Sequence, residues 1–224
     1  MKIVAAKSIL KANDQLAAEN RARFDAAGVF AVNLVGSPGA GKTTLLEALF
    51  AALRGRLAPA VIEGDIAGSI DADRIEALGL PVVQINTEGA CHLDANMIAS
   101  TMPAFDLASL DLLVIENVGN LVCTAGFDLG EHLRIVVLST SEGDDKAVKY
   151  PAIFQGSDAL FITKIDLLPH GDFRVERIAA DMKRLAPAAA IFQVSAKLGQ
   201  GIAEAAQWLA GKAGKGFVAD VSGH

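Results

Sequence analysis

Gly36-Ser37-Pro38-Gly39-Ala40-Gly41-Lys42-Thr43 satisfies G-x-x-x-x-G-K-[ST] in full, and that spacing has a definite chemistry. Its glycines let the backbone curl until several N–H groups converge on phosphate oxygens, at the positive end of a following helix. Lys42 is then in position to reach the β- and γ-phosphates, and Thr43 to offer its hydroxyl to Mg²⁺; Thr44 completes the set of candidate nucleotide contacts. The competing reading is a glycine-rich turn with no ligand. The apolar run 30–35 before the loop and the helical run from 42 to about 53 after it favour phosphate. A nucleoside triphosphate is the expected ligand.

Two further segments bear on the base. Thr163-Lys164-Ile165-Asp166 follows the apolar run 159–162 and resembles the guanine-reading N/T-K-x-D box, with Thr163 where Asn is usual, as in signal-recognition-particle GTPases. A carboxylate at Asp166 accepts two hydrogen bonds from guanine N1 and N2, donors that adenine does not present. Ser195-Ala196-Lys197 matches the loop whose backbone N–H touches guanine O6. Together they favour GTP and GDP over ATP.

The run 112–115 ends in Glu116, where a Walker-B acid holds Mg²⁺; the plainer alternative is a turn cap. Gly119 resembles the glycine whose N–H senses a γ-phosphate. Asp65, closing Glu63-Gly64-Asp65, is the candidate for orienting Mg²⁺ or the attacking water, so Lys42, Asp65 and Glu116 form the catalytic set. Asp71 is explained equally well as the N-cap of a helix over 71–78. No arginine is placed as a finger, and slow hydrolysis is expected. Lys146 and Lys149 either reach the nucleotide or a second protomer, or belong to a solvated charged loop.

The elements that must position these residues follow from hydropathy. Short apolar runs at 30–35, 60–62, 81–85, 112–115, 135–138, 159–163 and 190–194 predict strands buried on both faces. Helical stretches at 7–27, 42–53, 71–78, 174–185 and 201–210 separate several of them. The expected fold is α/β, a mostly parallel sheet between helix layers. With 224 residues, 52% hydrophobic, one domain over 1–213 with a loose tail at 214–224 is expected. A net charge of −6 argues against a nucleic-acid surface, and no run of apolar residues is long enough for a membrane span. No export signal precedes the two cysteines, Cys91 and Cys123, so reduced thiols in the cytoplasm are expected. His132 and His170 read as ordinary surface or loop residues, His224 as terminal, and Trp208 and Tyr150 as space-filling.

Thr87-Glu88-Gly89-Ala90-Cys91-His92-Leu93 and Glu116-Asn117-Val118-Gly119-Asn120-Leu121-Val122-Cys123 carry a more specific resemblance. With Leu10–Asp14, the phosphate loop, Glu142–Pro151 and the guanine box, they make the chain similar to the HypB-type hydrogenase nickel-incorporation GTPases almost end to end. That family falls in the dimerising P-loop class that also holds the urease accessory GTPase, which would show Cys-Pro-His at Cys91-His92. The resemblance implies a GTP-hydrolysing metallochaperone, a GTP-favoured homodimer, a nickel-accepting maturation partner and the hydrogenase large-subunit precursor. It also implies that Cys91, His92 and Cys123, otherwise an ordinary scatter of residues, bind Ni²⁺ or Zn²⁺; two thiolates and an imidazole suit either ion. The departures are Gly68, where the family usually has Thr beside Ser69, Thr124 in place of Pro, and the lack of a cysteine- or histidine-rich start. A small-molecule kinase, or another metal-delivery GTPase such as the urease-accessory type, is the alternative; the two guanine boxes weigh against the kinase.

Overall fold

Strands that are apolar on consecutive residues need cover on both faces, and the chain supplies it by alternating strand and helix. The computed structural model describes residues 6–65, 68 and 70–214, without the side chains of 6–9. In chain order the elements are α1 (Ala6–Ala27), β1 (Phe30–Gly36), α2 (Lys42–Leu53), β2 (Pro59–Asp65), α3 (Ile70–Glu76), β3 (Val82–Asn86), α4 (Ala95–Thr101) and β4 (Leu112–Glu116). There follow β5 (Leu133–Ser139), α5 (Lys146–Lys149), α6 (Pro151–Gln155), β6 (Ala159–Thr163), α7 (Val175–Leu185), β7 (Ala190–Gln193) and α8 (Ile202–Lys212). The sheet has seven strands in the order β3-β2-β4-β1-β5-β6-β7. Each pairing is parallel. The expected α/β class holds, and every predicted strand is found.

The two faces divide the apolar residues by the two-residue period of a strand. Val32, Leu34 and Val114 pack with Leu45, Leu49 and Leu53 of α2 and Leu209 of α8. Ala31, Leu113 and Ile115 pack on the other side with Phe24 of α1 and Ile98 of α4. Further along that face, Val136 and Leu160 meet Phe154, Ile178 and Met182. Trp208 lies against Phe192 and Phe161, ring centroids 5.1 and 6.2 Å away, and Tyr150 is partly buried, so both fill space as expected. Among the described residues no helix is long and apolar enough to cross a membrane.

Some boundaries differ from the expectation. The helix expected over 71–78 starts at Ile70, so Asp71 lies within its first turn and is not its N-cap. Helices α4, α5 and α6 carry 7, 4 and 5 residues, too few turns to show a periodic pattern. His132 is not an ordinary surface residue: its Nδ1 accepts from the Ala31 N–H at 2.9 Å and its Nε2 meets the Asp25 carboxylate at 2.8 Å, pinning α1 to the sheet. His170 does end a loop-borne 3₁₀ turn, as expected. Ser69, His224 and the tail from 215 onward lie outside the described residues.

Candidate nucleotide and metal site

Parallel strands deliver all their carboxyl ends to one edge, and the loops that follow β1, β2, β3, β4, β6 and β7 gather there. The phosphate loop turns on Gly39 (φ +75°) and Gly41 (φ +88°), a region that penalises a Cβ. At Gly36 a Cβ would meet the Val137 carbonyl oxygen at 2.5 Å, so the strand end itself tolerates no side chain. Gly119 approaches the loop from β4 so closely that a Cβ would lie 2.9 Å from Pro38. A cavity of about 480 Å³ opens between them, lined by Lys42, Thr43, Asp65, Glu116 and Lys164 among others.

Lys42 and Thr43 open α2 and are buried at 8% and 5% exposure, unusual for such side chains without a partner. Their partner is Glu116. Its Oε1 accepts from the Thr43 hydroxyl at 3.0 Å and lies 4.0 Å from Lys42 Nζ. Burial raises the Glu116 carboxyl above the usual range, against the pull of Lys42. A residue that the sequence reading passed over stands beside it. Glu63, paired with Glu116 in the β2–β4 register, is only 4% exposed. Burial first, and the Glu116 charge second, push its carboxyl up to about 10. One ligand atom from each of Glu63, Asp71 and Glu116 falls within 4.8 Å of the others. Asp65 also lines the cavity, and its Oδ2 accepts from the Gly68 N–H at 3.1 Å. A Cβ at Gly68 would meet that oxygen at 2.7 Å, so the threonine usual in the resembling family would displace Asp65 from this position. Arg74 reaches the cavity wall from α3, held by Glu47 at 2.6 Å and by the Thr44 hydroxyl at 2.9 Å.

The guanine-type box is docked on the phosphate loop. The Thr163 hydroxyl donates to the Ala40 carbonyl at 2.6 Å and Lys164 Nζ to the Gly39 carbonyl at 2.7 Å. Asp166 accepts from the Ser195 hydroxyl at 2.6 Å, and that bond leads in holding its carboxyl below the usual range. Ala196 and Lys197 continue the loop that Ser195 anchors, with Leu198 N–H donating back to the Ser195 oxygen at 3.2 Å. Lys146 and Lys149 stand away from the cavity lining; Lys149 pairs with Asp145 at 2.6 Å and Lys146 lies over the Tyr150 ring.

The loops after β3 and β4 straddle the end of β2. Side-chain turns shape both: the Thr87 hydroxyl donates to the Ala90 carbonyl at 2.7 Å, and Asn120 Oδ1 accepts from the Val122 and Cys123 N–H groups at 2.7 and 2.9 Å. They bring Cys91 and Cys123 to a Cα separation of 6.1 Å, close enough for the pair to close as a disulfide. Their 32-residue separation in sequence hides this proximity. His92 stacks on Phe127 at 3.9 Å, with its Nδ1 3.7 Å from Cys91 Sγ. Beneath both loops runs a buried polar chain that the sequence reading did not single out. Asn117 Oδ1 accepts from the Leu93 and Val118 N–H groups at 3.2 and 2.9 Å, and its amide donates to Asn33 at 3.2 Å. Asn33 donates to Glu131 at 3.1 Å, which holds Arg134 at 2.6 Å, and Arg134 donates to the Phe127 carbonyl at 2.8 Å.

A parallel sheet with a glycine-rich phosphate loop, a buried Lys–Thr–Glu cluster and a carboxylate-bearing base loop defines a P-loop nucleotide-binding protein. Residues 30–193 match the family described as CobW/HypB/UreG, nucleotide-binding domain. The hydrogenase maturation factor HypB of Azotobacter vinelandii is 49% identical over 203 residues, 91% of this chain and 67% of that protein. The Escherichia coli K12 factor is 46% identical over 201 residues, covering 90% and 69%. The crystal structure of HypB from Helicobacter pylori in complex with nickel superposes with a TM-score of 0.86 at 40% identity, covering 94% of this chain and 99% of that one. The chain belongs to the HypB family of hydrogenase maturation factors.

Proposed function

We propose that this chain is a GTP-hydrolysing switch that carries nickel and assists its insertion during [NiFe]-hydrogenase maturation. The supporting observation is one of connectivity: Cys123 lies four residues beyond Gly119, which rests against the phosphate loop at Pro38. A nucleotide-dependent shift of Gly119 would therefore reach a metal ligand. GTP and GDP bind through the backbone N–H groups of 36–44, Pro38 excepted, with Asp166 and the Ser195-Ala196-Lys197 loop on guanine. Lys42 neutralises charge on the phosphates, and Asp65 orients the attacking water. Thr43, Asp65 and Glu116 would hold Mg²⁺, and the orphaned, buried Oε2 of Glu116 fits a cation there. When bound, Mg²⁺ supplies charge neutralisation to the β- and γ-phosphate oxygens.

Nickel is the cargo, with zinc the competing ion, and Cys91, His92 and Cys123 are its ligands. A thiol pair close enough for a disulfide is close enough to clasp one ion once reduced, and the dithiol form is the competent one. Three ligands leave a position open for a homodimer partner favoured by GTP, or for the nickel-accepting maturation partner and the hydrogenase large-subunit precursor. The test is a pair of nickel titrations of reduced protein, in the GDP and GTP-analogue states, repeated on Cys123→Ala. Tight binding that differs between the two states and is lost in Cys123→Ala is the expected result. Equal affinity in both states removes the switch, and undiminished binding in Cys123→Ala removes the ligand set.

A further inference from the structure

The placement of Glu63 is one that neither the phosphate loop nor the Walker-B position accounts for. In the β2–β4 register Glu63 lies directly opposite Glu116, and paired residues of a parallel ladder project on the same face. Both carboxyl groups therefore leave the sheet side by side beneath Lys42 and Thr43. Glu63 is 4% exposed and Glu116 2%. One oxygen on each, Oε2 in both cases, is buried with no hydrogen-bond partner.

Buried polar atoms are satisfied in the great majority of native sites, so two adjacent orphans indicate something missing between them. Three acids, Glu63, Asp71 and Glu116, offer ligand atoms within 4.8 Å of one another. Against them stand Arg74, paired with Asp71 at 3.3 Å, and Lys42, 4.0 Å from Glu116 Oε1. The Lys42 ammonium is also the group committed to the phosphates. The deficit is cationic, and its geometry is that of oxygen donors only, which selects a hard divalent ion.

Resting on the nucleotide reading above, we infer that Glu63 is a positioning residue for the divalent cation. It is a second buried carboxylate that orients Glu116 and faces the ion through its own Oε2. Its position on the rigid strand β2, not on a loop, gives that orientation in the absence of nucleotide. Replacement of an outer carboxylate that orients a metal site costs about 10–100-fold in affinity.

The alternative, that Glu63 is only a neutral donor to Glu116, makes an opposite forecast for Glu63→Gln. A glutamine amide donates to Glu116 just as a protonated carboxyl does, and would leave cation binding unchanged. The experiment measures Mn²⁺ binding to the GDP complex at one pH by electron paramagnetic resonance of free Mn²⁺, for the parent and Glu63→Gln. GDP affinity in EDTA is measured in parallel. We expect Mn²⁺ affinity to fall by about 10–100-fold while GDP affinity in EDTA is retained. Parent-like Mn²⁺ affinity in Glu63→Gln overturns the inference. Failure of the parent to bind GDP would instead count against the nucleotide reading itself. Should Glu63→Gln not fold, Glu63→Asp decides: drawing the carboxylate back by one methylene must weaken Mn²⁺, and parent-like binding overturns the inference equally.

Discussion

Asp166 is held in the way the proposed contact with guanine requires. The Ser195 hydroxyl fixes one carboxylate oxygen at 2.6 Å and keeps the group ionised, while Ser195 itself is 1% exposed and cannot drift. Asp166→Asn would turn one of the two acceptor oxygens into an amide donor, so one charge-assisted hydrogen bond to guanine would be lost and two donors would face each other. Competition binding should show GTP weakened by roughly 10²–10⁴-fold and xanthosine triphosphate gaining, since xanthine presents a carbonyl to the new amide. Undiminished GTP affinity in that variant would refute the guanine assignment. The Cys91–Cys123 pair sets a different residue-scale requirement. Protons compete for thiolate and imidazole donors, so nickel binding to the reduced protein should weaken as pH falls. A titration series flat between pH 8 and about 6 would exclude these donors.

At the scale of elements, the loops and strands depend on contacts made across long sequence separations. Gly119→Ala places a methyl group 2.9 Å from Pro38, so the loop after β4 must retreat from the phosphate loop. Isothermal calorimetry should show GTP-analogue binding reduced more than GDP binding, because only the former needs the close approach; an equal loss for both would contradict this role. Asn117→Ala leaves the Leu93 and Val118 N–H groups unpaired in the interior, at roughly 1–3 kcal/mol each. A fall in Tm of several degrees is expected, at about 2–4 °C per kcal/mol for a chain of this size. The same separations divide what the sequence revealed from what it did not. The phosphate loop, the Asp166 box and all seven strands were legible because their signals are contiguous. Glu63 was not, because its meaning comes from standing opposite Glu116, 53 positions away, in a register that only the sheet fixes. Asn33, Asn117 and Glu131 were hidden for the same reason, as was His132, whose partners Ala31 and Asp25 lie 101 and 107 positions away. Helices α5 and α6 escaped since Pro151 divides one stretch into two short turns.

For the whole molecule, the buried chain Asn117–Asn33–Glu131–Arg134 links the end of β4 to the backbone at Phe127, just beyond Cys123. If nucleotide and nickel are coupled through these loops, a typical coupling of about 1–3 kcal/mol changes nickel affinity by roughly 5–150-fold, and nickel must alter the preference for GTP over GDP by the same factor. Sedimentation in the two nucleotide states, with and without nickel, checks the accompanying prediction that the homodimer is favoured by GTP; one monomer fraction throughout would remove it. The bracing of the phosphate loop by Thr163 and Lys164 has its own consequence for timing. Carbonyls at Ala40 and Gly39 that are tied down from a strand more than 120 residues later cannot swing to let a phosphate out. On the proposed nucleotide reading, residence time would then be set in part by the segment assigned to the base. Cutting one tie, as in Thr163→Val, should show in stopped-flow as faster GDP departure even though the lost hydroxyl bonds a main-chain carbonyl, so that the box acts as a clock as well as a reader.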